Sequence, residues 1–593
     1  MEKWVEIRKS GDFNKTAREC GISTITARIL RNKDLVSSQE ISEYLSPAGV
    51  SLNSPFDLNG MDRVIFYLKE KIKENKKIRI IGDYDVDGIC STFILHKGLI
   101  FFKADCDYCI PHRIEDGYGI NIKLIKEAYN AGRDTIITCD NGISAKEQTD
   151  YAHSLNMTML ITDHHEVPFE TEGDNKKYII PDAEAIVDPH LPDCNYNFKG
   201  ICGAYVAFQV ILALAIDSGV ENNKDFALLK EEFLEFVSLA TVCDVMELKN
   251  ENRSLVKQGL KFMEKSKNTG LKALLEVTGM TGRVLTPYHL GFVIGPCLNA
   301  SGRLDTSLRA MDLFLEEDYE TALKKAEDLK TLNEERKDMT ISETEKAFKI
   351  VDEYEKLPDI LVVYLPDCHE SLAGIIAGRV REKYSRPAFV VTKTEKGLKG
   401  SGRSIEAYDM FEGLNALNVK SLLSKFGGHK LAAGISLESE EKLDLFTKAL
   451  NENSGLTEDD FCEIVKIDME LPLDYASLAL ARELNRLEPY GVGNDKPLFA
   501  LRSLTFISGY RIGKNKNVGK YKVKDESGRV YEMVYFGDLD VLENYVASIY
   551  DDTTSFNFHS GNRINVVLGV CYQLDINSYK GNDSVQLILK HYR

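Results

Sequence analysis

The sequence predicts an α/β protein with two α/β lobes joined by a long helix and followed by a small β-barrel. Strand patterns alternate with amphipathic helices from Lys76 to about Pro189, which is typical of a parallel sheet. The segment from Arg303 to Leu357 contains neither Gly nor Pro and is rich in Glu, Lys, Ala and Leu, so a long helix is expected there. After Pro497 the pattern changes to alternating β-strands with Gly and Asn turns, which favours a barrel.

Five segments follow from these patterns. Short polar helices are expected in 1–55, the first lobe in 56–310, the long helix in 311–357, the second lobe in 358–470 and the barrel in 471–593. In the second lobe we expect a strand, a helix and a strand, followed by two glycine-rich loops, Lys399–Ser404 and Gly427–Gly434.

The bulk composition limits the class of protein. A chain of 593 residues with 43% apolar content can build several hydrophobic cores. The start lacks the apolar core of a signal peptide, and the longest apolar stretch, Tyr205–Ile216, is too short to span a bilayer, so a cytoplasmic protein is expected. The net charge of −18 argues against indiscriminate duplex binding but leaves room for a local basic groove.

The twelve cysteines show no paired framework and indicate reduced thiols. Cys106 and Cys109 form the one C-x-x-C, in an apparent strand where this spacing sends the side chains to opposite faces. Buried thiols are therefore expected there rather than zinc ligands.

Four acidic clusters outline a candidate metal site. They contain Asp83, Asp85 and Asp87, then Asp140, then Asp163-His164-His165, and finally Asp244. The first three each follow an apolar β-like run, so their polar groups are expected at the carboxyl edge of a parallel sheet, where such sheets bind ligands.

The ligand types favour two manganese or magnesium ions. A spacing of two in a strand would put the carboxylates of Asp83, Asp85 and Asp87 on one side, and a bend at Gly88 would turn the last one toward a second ion. Oxygen ligands with one imidazole, from His164, suit Mn²⁺ or Mg²⁺, and the lack of thiolates disfavours a catalytic zinc. Asp140 is the natural bridging ligand, and such a pair of ions hydrolyses phosphodiesters.

Simpler interpretations exist for each feature. One Asp at a strand end is more often a helix N-cap, although four clusters together make that explanation improbable. His165 is expected to contact a substrate phosphate or to fill a polar gap. The segments around Ser401, Arg403 and His429 could bring backbone N–H groups and a guanidinium to phosphate, or they could be tight turns.

The barrel carries a candidate strand-binding ribbon. From Tyr510 to Lys524 there are six Lys or Arg residues and no acid, with Tyr510 and Tyr521 interleaved. Alternating cationic and aromatic groups suit a single strand with splayed bases, whereas a solvated hairpin with protective lysines is the alternative.

Taken together, these segments resemble the RecJ family of single-strand-specific 5′→3′ DNA exonucleases in the DHH phosphoesterase superfamily. The resemblance covers nearly the whole chain. The segments that carry it are IIGDYDVDGICST, IPHRIEDGYGIN, ITCDNGIS, ITDHHEVP, LATVCDVMEL, IGPCLNASGRLD, LAGIIAGRV, KGSGRS, FGGHKLAAG and RLEPYGVGNDKPLF.

The resemblance implies a role for each site residue. It implies a first Mn²⁺ or Mg²⁺ ion on Asp83, Asp85 and Asp140, a second on Asp87, Asp140, His164 and Asp244, and a scissile phosphate on His165. It implies a pocket for the 5′ end formed by Arg113, Arg303, Ser401 and Arg403, with further substrate contacts from Asn299, Arg379, Gly427, Gly428 and His429. The chain departs from the family pattern at Cys297, where the family usually has arginine, and at Ser301, where it usually has alanine. Loss of the arginine is expected to weaken one contact with the strand or its end.

The activity implied is stepwise release of 5′-mononucleotides from single-stranded DNA in repair and recombination, with duplex excluded by a narrow cleft. The barrel would be an oligonucleotide/oligosaccharide-binding (OB) fold, and a helicase, a single-strand-binding protein and a monomeric state are implied as well. An oligoribonuclease or cyclic-dinucleotide phosphodiesterase of the same superfamily is the main alternative, although such relatives generally lack the N-terminal segment, the long helix and the barrel. A pyrophosphatase would leave the barrel unexplained, and a catalytically inactive single-strand-binding scaffold is expected to have lost metal ligands.

Overall fold

A computed structural model describes residues 2–47, 49–172, 175–551, 554, 557–579 and 581–593. The chain divides into two compact units. One comprises 51–247 and 251–463 and holds both α/β lobes with the long helix, and the other comprises 2–50, 248–250 and 464–593 and holds the N-terminal segment with the barrel. Within the described ranges, no helix has the length and apolar content needed to cross a membrane.

The N-terminal segment contains short helices, as predicted, and also a strand that was not predicted. Its elements are β1 (Glu2–Glu6), α1 (Phe13–Cys20), α2 (Thr24–Asn32) and α3 (Ser38–Leu45). Polar caps explain the helix starts, because the Ser23 hydroxyl accepts from the Thr26 N–H and Ser37 forms a capping box with Glu40.

The first lobe is built on a five-stranded parallel sheet in the order β3-β2-β4-β5-β8. Its elements are α4 (Met61–Lys73), β2 (Lys77–Ile81), α5 (Val86–Phe101), β3 (Asp105–Cys109), α6 (Ile122–Asn130), β4 (Thr135–Cys139), α7 (Lys146–Ser154), β5 (Thr158–Thr162), β6 (Phe169–Glu172), β7 (Asn175–Tyr178) and β8 (Ala185–Val187). The three predicted β-like runs are confirmed as β2, β4 and β5. Because neighbouring parallel strands end at one edge, the polar residues that follow them meet there.

Helices complete this lobe and lead to the second one. They are α8 (Gly203–Asp217), α9 (Lys224–Cys243), α10 (Asn250–Met263), α11 (Thr269–Val277), α12 (Pro287–His289), α13 (Gly295–Leu304), α14 (Leu308–Phe314) and α15 (Tyr319–Asp352). A π-helical turn, Leu290–Ile294, connects α12 to α13 without a break. The predicted long helix is confirmed as α15, which is 34 residues long, and α9 ends directly before Asp244.

The second lobe contains a five-stranded mixed sheet in the order β12-β13-β11-β10-β9. Its elements are β9 (Leu361–Tyr364), α16 (Ala373–Tyr384), β10 (Ala388–Thr394), β11 (Gly397–Arg403), α17 (Met410–Asn415), α18 (Leu417–Lys420), β12 (Lys425–His429), β13 (Ala432–Leu437) and α19 (Glu440–Glu452).

The prediction of two glycine-rich loops in this lobe is wrong, because both segments lie mainly on strands. Ser401 on β11 pairs with Gly434 on β13, which in turn pairs with Gly427 on β12. In the first segment glycine serves close packing: a Cβ on Gly402 would lie 2.5 Å from both Met410 and Phe389 side-chain atoms.

The C-terminal part is a closed barrel, as predicted. Its elements are β14 (Glu463–Ile467), β15 (Met469–Glu470), α20 (Leu478–Asn485), β16 (Phe499–Ile512), β17 (Val518–Lys524), β18 (Val530–Tyr535), α21 (Leu539–Ile549), β19 (Val566–Tyr579) and β20 (Asn582–Tyr592). Strands run in the order β16-β17-β18-β20-β19, and β19 pairs back onto β16. Helices α20 and α21 were not predicted, and the barrel shares one apolar core with N-terminal residues such as Ile29, Leu30 and Ile41.

All twelve cysteines are free, as expected. Cys106 and Cys109 both lie on β3 and are half-buried. Burial raises the pKa of Cys106 to about 12 and that of Cys109 to about 11, which suits unreactive thiols.

Candidate active site

The first acidic cluster lies in the turn between β2 and α5. The expected strand spacing is wrong: β2 ends at Ile81, Asp85 is the N-cap of α5, and Asp87 lies in its first turn. The Asp85 Oδ1 accepts from the backbone N–H groups of Asp87 and Gly88 at 2.9 and 3.1 Å. Asp85 is therefore an N-cap as well as part of the cluster. A Cβ on Gly88 would lie 2.4 Å from the Asp83 carbonyl oxygen, so glycine permits this tight turn.

Asp140 follows β4 in a left-handed backbone conformation, with φ of 61°. This conformation is uncommon for a residue with a Cβ and often marks functional sites. The N-terminus of α8 comes so close that a Cβ on Gly203 would lie 2.7 Å from the Asp140 Cβ. The backbone N–H groups of Gly203 and Ala204 each donate to one oxygen of Asp87 at 2.7 Å. Helix α8 thus fixes two of the acidic residues.

The Asp163-His164-His165 segment follows β5. The buried Asp163 Oδ2 accepts from the Ile143 N–H at 2.9 Å, and its Oδ1 lies 2.7 Å from His165 Nδ1. Burial by itself would lower the pKa of His165, but the hydrogen bond and charge of Asp163 raise it to about 9. Asp163 therefore orients a cationic His165, a positioning role that the sequence analysis did not assign.

His164 points into the acidic cluster. Its Nε2 lies 3.0 Å from an Asp140 oxygen, 3.5 Å from Asp87 and 3.7 Å from Asp244, the C-cap of α9. Asp83, Asp85 and Asp140 bring ligand atoms within 4.8 Å of one another, as do Asp87, His164 and Asp244. The same holds for Asp140, His164 and His165. Every residue predicted to bind metal is thus in one cluster.

The electrostatics of this cluster fit divalent cations. Burial first, and neighbouring carboxylates second, raise the pKa of Asp83, Asp140 and Asp244 well above the usual range. Burial also lowers the pKa of His164, which keeps its imidazole neutral and suitable as a ligand. Buried carboxylates that repel one another are stabilised by a bound cation, and oxygen ligands with one imidazole match manganese or magnesium.

Tyr118 contacts this cluster and was missed by the sequence analysis. Its hydroxyl donates to the Asp140 carbonyl oxygen at 2.9 Å and lies 3.2 Å from the His165 ring nitrogens. The signal available in the sequence was its place in the same Gly-Tyr-Gly segment that follows Arg113.

A cavity of about 480 Å³ lies between the two lobes of this unit, beside the acidic cluster. The residues that line it include Tyr84, Arg113, Tyr118, Lys399, Ser401, Lys425 and Gly427. The Arg113 guanidinium lies over the Tyr84 ring, 4.6 Å from its centroid. The sequence analysis missed Lys399 and Lys425.

Arginines without acidic partners surround this cavity. Arg303 donates to the Ser371 carbonyl oxygen at 2.7 Å, and burial, aided by Arg113, Arg336 and Arg403, lowers its pKa to about 9. Arg403 lies 3.3 Å from the Ser401 hydroxyl and has its pKa lowered by burial and by Arg381. Among the described residues, Arg113, Arg303 and Arg403 form no ion pair, so their positive charge is available to an anion.

The remaining predicted substrate residues lie on three different elements. Asn299 lies on α13 one turn before Arg303, and Arg379 on α16 lies near enough to Arg336 to help lower its pKa. Gly428 and His429 lie on β12 outside the lining of the cavity.

Cys297 is buried and lies 3.5 Å from the Asn333 amide nitrogen. The Asn333 side-chain oxygen in turn accepts a hydrogen bond from Arg336 at 2.6 Å. The sequence analysis did not identify Arg336.

The barrel ribbon is only partly available for a strand. Arg511 pairs with Asp540 and Glu543, and Lys520 pairs with Glu532. Tyr521 is fully buried, where its hydroxyl lies 2.6 Å from His559, so its expected role on the surface is wrong. The strand alternation places Tyr521 toward the core because it shares a face with Gly519 and Val523. Tyr510 remains exposed.

Family models match three parts of the chain. One described as the DHH family, N-terminal domain, matches residues 77–241; the DHHA1 domain matches 358–454; and the RecJ OB domain matches 467–591. A crystal structure of RecJ from Thermus thermophilus in complex with Mn²⁺ shares the fold, with a TM-score of 0.78 and 24% identity, covering 100% of this chain and 79% of that one. A structure of exonuclease RecJ bound to manganese has 29% identity and a TM-score of 0.57, covering 69% of this chain and 98% of that one.

Curated relatives are similar over almost the full length. The single-stranded-DNA-specific exonuclease RecJ of Escherichia coli is 33% identical, covering 99% of both chains. The RecJ of Bacillus subtilis is 30% identical, covering 99% of this chain and 70% of that protein. The chain therefore belongs to the RecJ family.

Proposed function

We propose that this protein is a metal-dependent exonuclease that digests single-stranded DNA from its 5′ end to 5′-mononucleotides, in DNA repair and recombination. The observation that carries the proposal is an oxygen-rich acidic cluster beside a cavity that is lined by Arg113. Arg303 and Arg403 adjoin this cavity through the lining residues Ser371 and Ser401. The relatives are named single-stranded-DNA-specific exonucleases, which supports single-stranded DNA as the substrate.

Two Mn²⁺ or Mg²⁺ ions fit the cluster. Asp83, Asp85 and Asp140 would hold one, and Asp87, Asp140, His164 and Asp244 the other. Ions of this kind activate water and neutralise the charge that develops on a phosphodiester. Asp163 and Tyr118 hold His165 at the edge of the cluster, where its positive charge suits the scissile phosphate.

The pocket formed by Arg113, Arg303, Ser401 and Arg403 is proposed to give the 5′ polarity. A terminal phosphate carries more charge than an internal one and can accept from Ser401 and from the guanidinium groups of Arg113, Arg303 and Arg403. Gly374 at the start of α16 supports this site, since a Cβ there would lie 2.9 Å from both Ser401 and Arg403. A strand tethered by its end presents the next linkage to the acidic cluster, which gives stepwise release.

The remaining assignments extend this proposal. Asn299, Arg379, Gly427, Gly428 and His429 are proposed as further substrate contacts. A cytoplasmic monomer that works with a helicase and a single-strand-binding protein is also proposed; these partners rest on the family resemblance.

The test is manganese-dependent digestion of an end-labelled single strand with a 5′-phosphate, a blocked 5′ end, or a complementary strand. We expect mononucleotide release only from an accessible single-stranded 5′ end. Arg113→Ala and Arg403→Ala should each reduce the preference for a 5′-phosphate about tenfold or more, as expected for a lost charged hydrogen bond. Arg309→Ala, at an exposed ion pair with Asp305, is the matched control.

Two outcomes would contradict the proposal. Indifference to the 5′ end with fast cleavage of dinucleotides would move the assignment to oligoribonucleases or cyclic-dinucleotide phosphodiesterases. Strand binding without cleavage under any divalent ion would instead favour a catalytically inactive single-strand-binding scaffold.

A further inference from the structure

Two stacked aromatic side chains are exposed on the helix that carries Arg303. Tyr288 and Phe292 are 64% and 67% exposed, and their rings stack with centroids 5.0 Å apart and planes 22° from parallel. Tyr288 belongs to α12 and Phe292 to the π-helical turn. An exposed apolar surface often marks a binding site, and π-turns occur frequently at functional sites.

The pair lies on the same continuous helix as two of the proposed substrate residues. The helix runs without a break from Tyr288 through the π-helical turn to Asn299 and Arg303 on α13. Phe292 and Arg303 are eleven residues apart, which corresponds to about 16 Å along the axis. The aromatic pair and the terminal-phosphate pocket thus lie toward opposite ends of one helix.

The acidic cluster lies between these two ends. Near Arg303, a Cβ on Gly302 would lie 2.7 Å from the Tyr84 carbonyl oxygen, in the turn that carries Asp83 and Asp85. At Gly295 the helix crosses the last turn of α9, where a Cβ would lie 2.3 Å from the Cys243 Sγ, next to Asp244. The order along this helix is therefore terminal phosphate, acidic cluster, aromatic pair.

We propose that Tyr288 and Phe292 form a base-stacking platform for the nucleotides on the 3′ side of the cleaved linkage. This inference rests on the proposed function and deepens it. A strand whose 5′ end is held at Arg303 and whose linkage lies at the acidic cluster continues past Asp244 toward the two rings. Every base has a π-face, so stacking holds the strand regardless of sequence, which suits a nuclease that advances along it.

The first test compares substrate lengths. In the Tyr288→Ala/Phe292→Ala variant, kcat/KM for a strand of a few dozen nucleotides should fall about tenfold or more relative to that for a trinucleotide, as expected from the loss of one or two stacked bases. The single variant Phe292→Trp keeps two aromatic rings and should show the wild-type ratio of the two kcat/KM values. Phe66→Ala/Tyr129→Ala removes two exposed aromatic residues elsewhere in the same unit and should leave the ratio unchanged.

The second test locates the stacked bases. A single 2-aminopurine is moved along the strand, and its fluorescence is measured on the Asp140→Asn variant with Mn²⁺, so that the strand stays intact. We expect quenching at one or two adjacent positions 3′ of the first linkage, lost on adding Tyr288→Ala/Phe292→Ala.

Three results separate the possibilities. An unchanged length ratio together with unchanged quenching would overturn the platform while wild-type digestion still upholds the proposed nuclease. A wild-type dimer that dissociates in the double variant, with unchanged quenching, would make the pair a self-association surface. Failure of the wild type to digest any strand would instead overturn the proposed function.

Discussion

At the residue scale, the site depends on carboxylates placed where water cannot solvate them. Asp83, Asp87 and Asp140 are almost completely buried and lie among one another, and burial is the largest cause of their raised pKa values. Such a cluster is unfavourable by itself and favourable around cations, so the energy of metal binding and the energy of folding are coupled.

Asp140→Asn tests this coupling. We expect turnover with Mn²⁺ to fall at least about a thousandfold, because the bridging charge is lost. In EDTA the variant should melt at a higher temperature than the wild type, since one buried repulsive charge is removed. Thermal denaturation with and without Mn²⁺ measures both effects. Equal melting temperatures in EDTA would show that repulsion does not strain the apo protein.

At the element scale, glycine sets how closely α8 approaches the acidic cluster. Gly203→Ala would place a methyl group 2.7 Å from the Asp140 Cβ. We expect a loss of about 1–3 kcal/mol in the free energy of unfolding, together with weaker Mn²⁺ binding. Urea denaturation and metal titration measure these changes. Gly200→Ala, where the nearest atom would be 3.5 Å away, is the control, and an equal loss in both variants would contradict the steric argument.

A second element-scale prediction concerns the barrel, where α21 is tied to β17 through His559. The buried His559 ring lies between Tyr521 and Glu543, and burial, which outweighs the neighbouring Glu543, lowers its pKa. The unfolded chain takes up a proton below about pH 6.5 that the folded barrel excludes until a lower pH. Barrel stability is therefore complete above about pH 6.5 and falls as the pH drops below it, by at most about 1.4 kcal/mol per pH unit.

The measurement is urea denaturation between pH 8 and 5, followed by the fluorescence of Trp4, the one tryptophan of the chain, which lies on β1 of the same unit. His559→Gln should remove this part of the pH dependence. An identical pH profile in wild type and variant would rule out His559 as its source.

At the scale of the whole molecule, an acidic protein has to bind a polyanion through local charge. The net charge is −18, yet Arg113 and Lys425 line the cavity in the first unit, together with Lys399, which pairs with Glu370. The barrel keeps four ribbon lysines that form no ion pair among the described residues: Lys514, Lys516, Lys522 and Lys524. Each phosphate neutralised by such a lysine releases counterions, so affinity depends on salt.

Replacing these four lysines by alanine should weaken single-strand binding and reduce the slope of log K against log salt by up to about 2.8. Fluorescence anisotropy with a labelled strand at several salt concentrations measures the slope. The control carries the same charge change at exposed positions elsewhere: Lys73, Lys126, Lys261 and Lys448. An equal change in slope for both would mean that the ribbon acts only through net charge.

Local signals explain which predictions the structure confirms. The apolar runs before Asp83, Asp140 and Asp163 predict parallel strands, and the lack of Gly and Pro before Leu357 predicts α15, because these patterns depend on neighbours in the chain. The glycine segment around Ser401 misled for the same reason: glycine permits both a turn and close packing, and at Gly402 only the contacting residues, Phe389 and Met410, distinguish them.

The sequence by itself determined the fold class, the order of the lobes and the barrel, and the set of carboxylates and imidazoles in the site, since each is written in periodicity or in residue type. Only the tertiary structure decided that Tyr118 contacts His165 and the Asp140 carbonyl oxygen, that the acidic residues of four separate segments meet around His164, and that Tyr521 is buried against His559. These features join residues far apart in the chain, and the contacts between them exist only after the elements have packed.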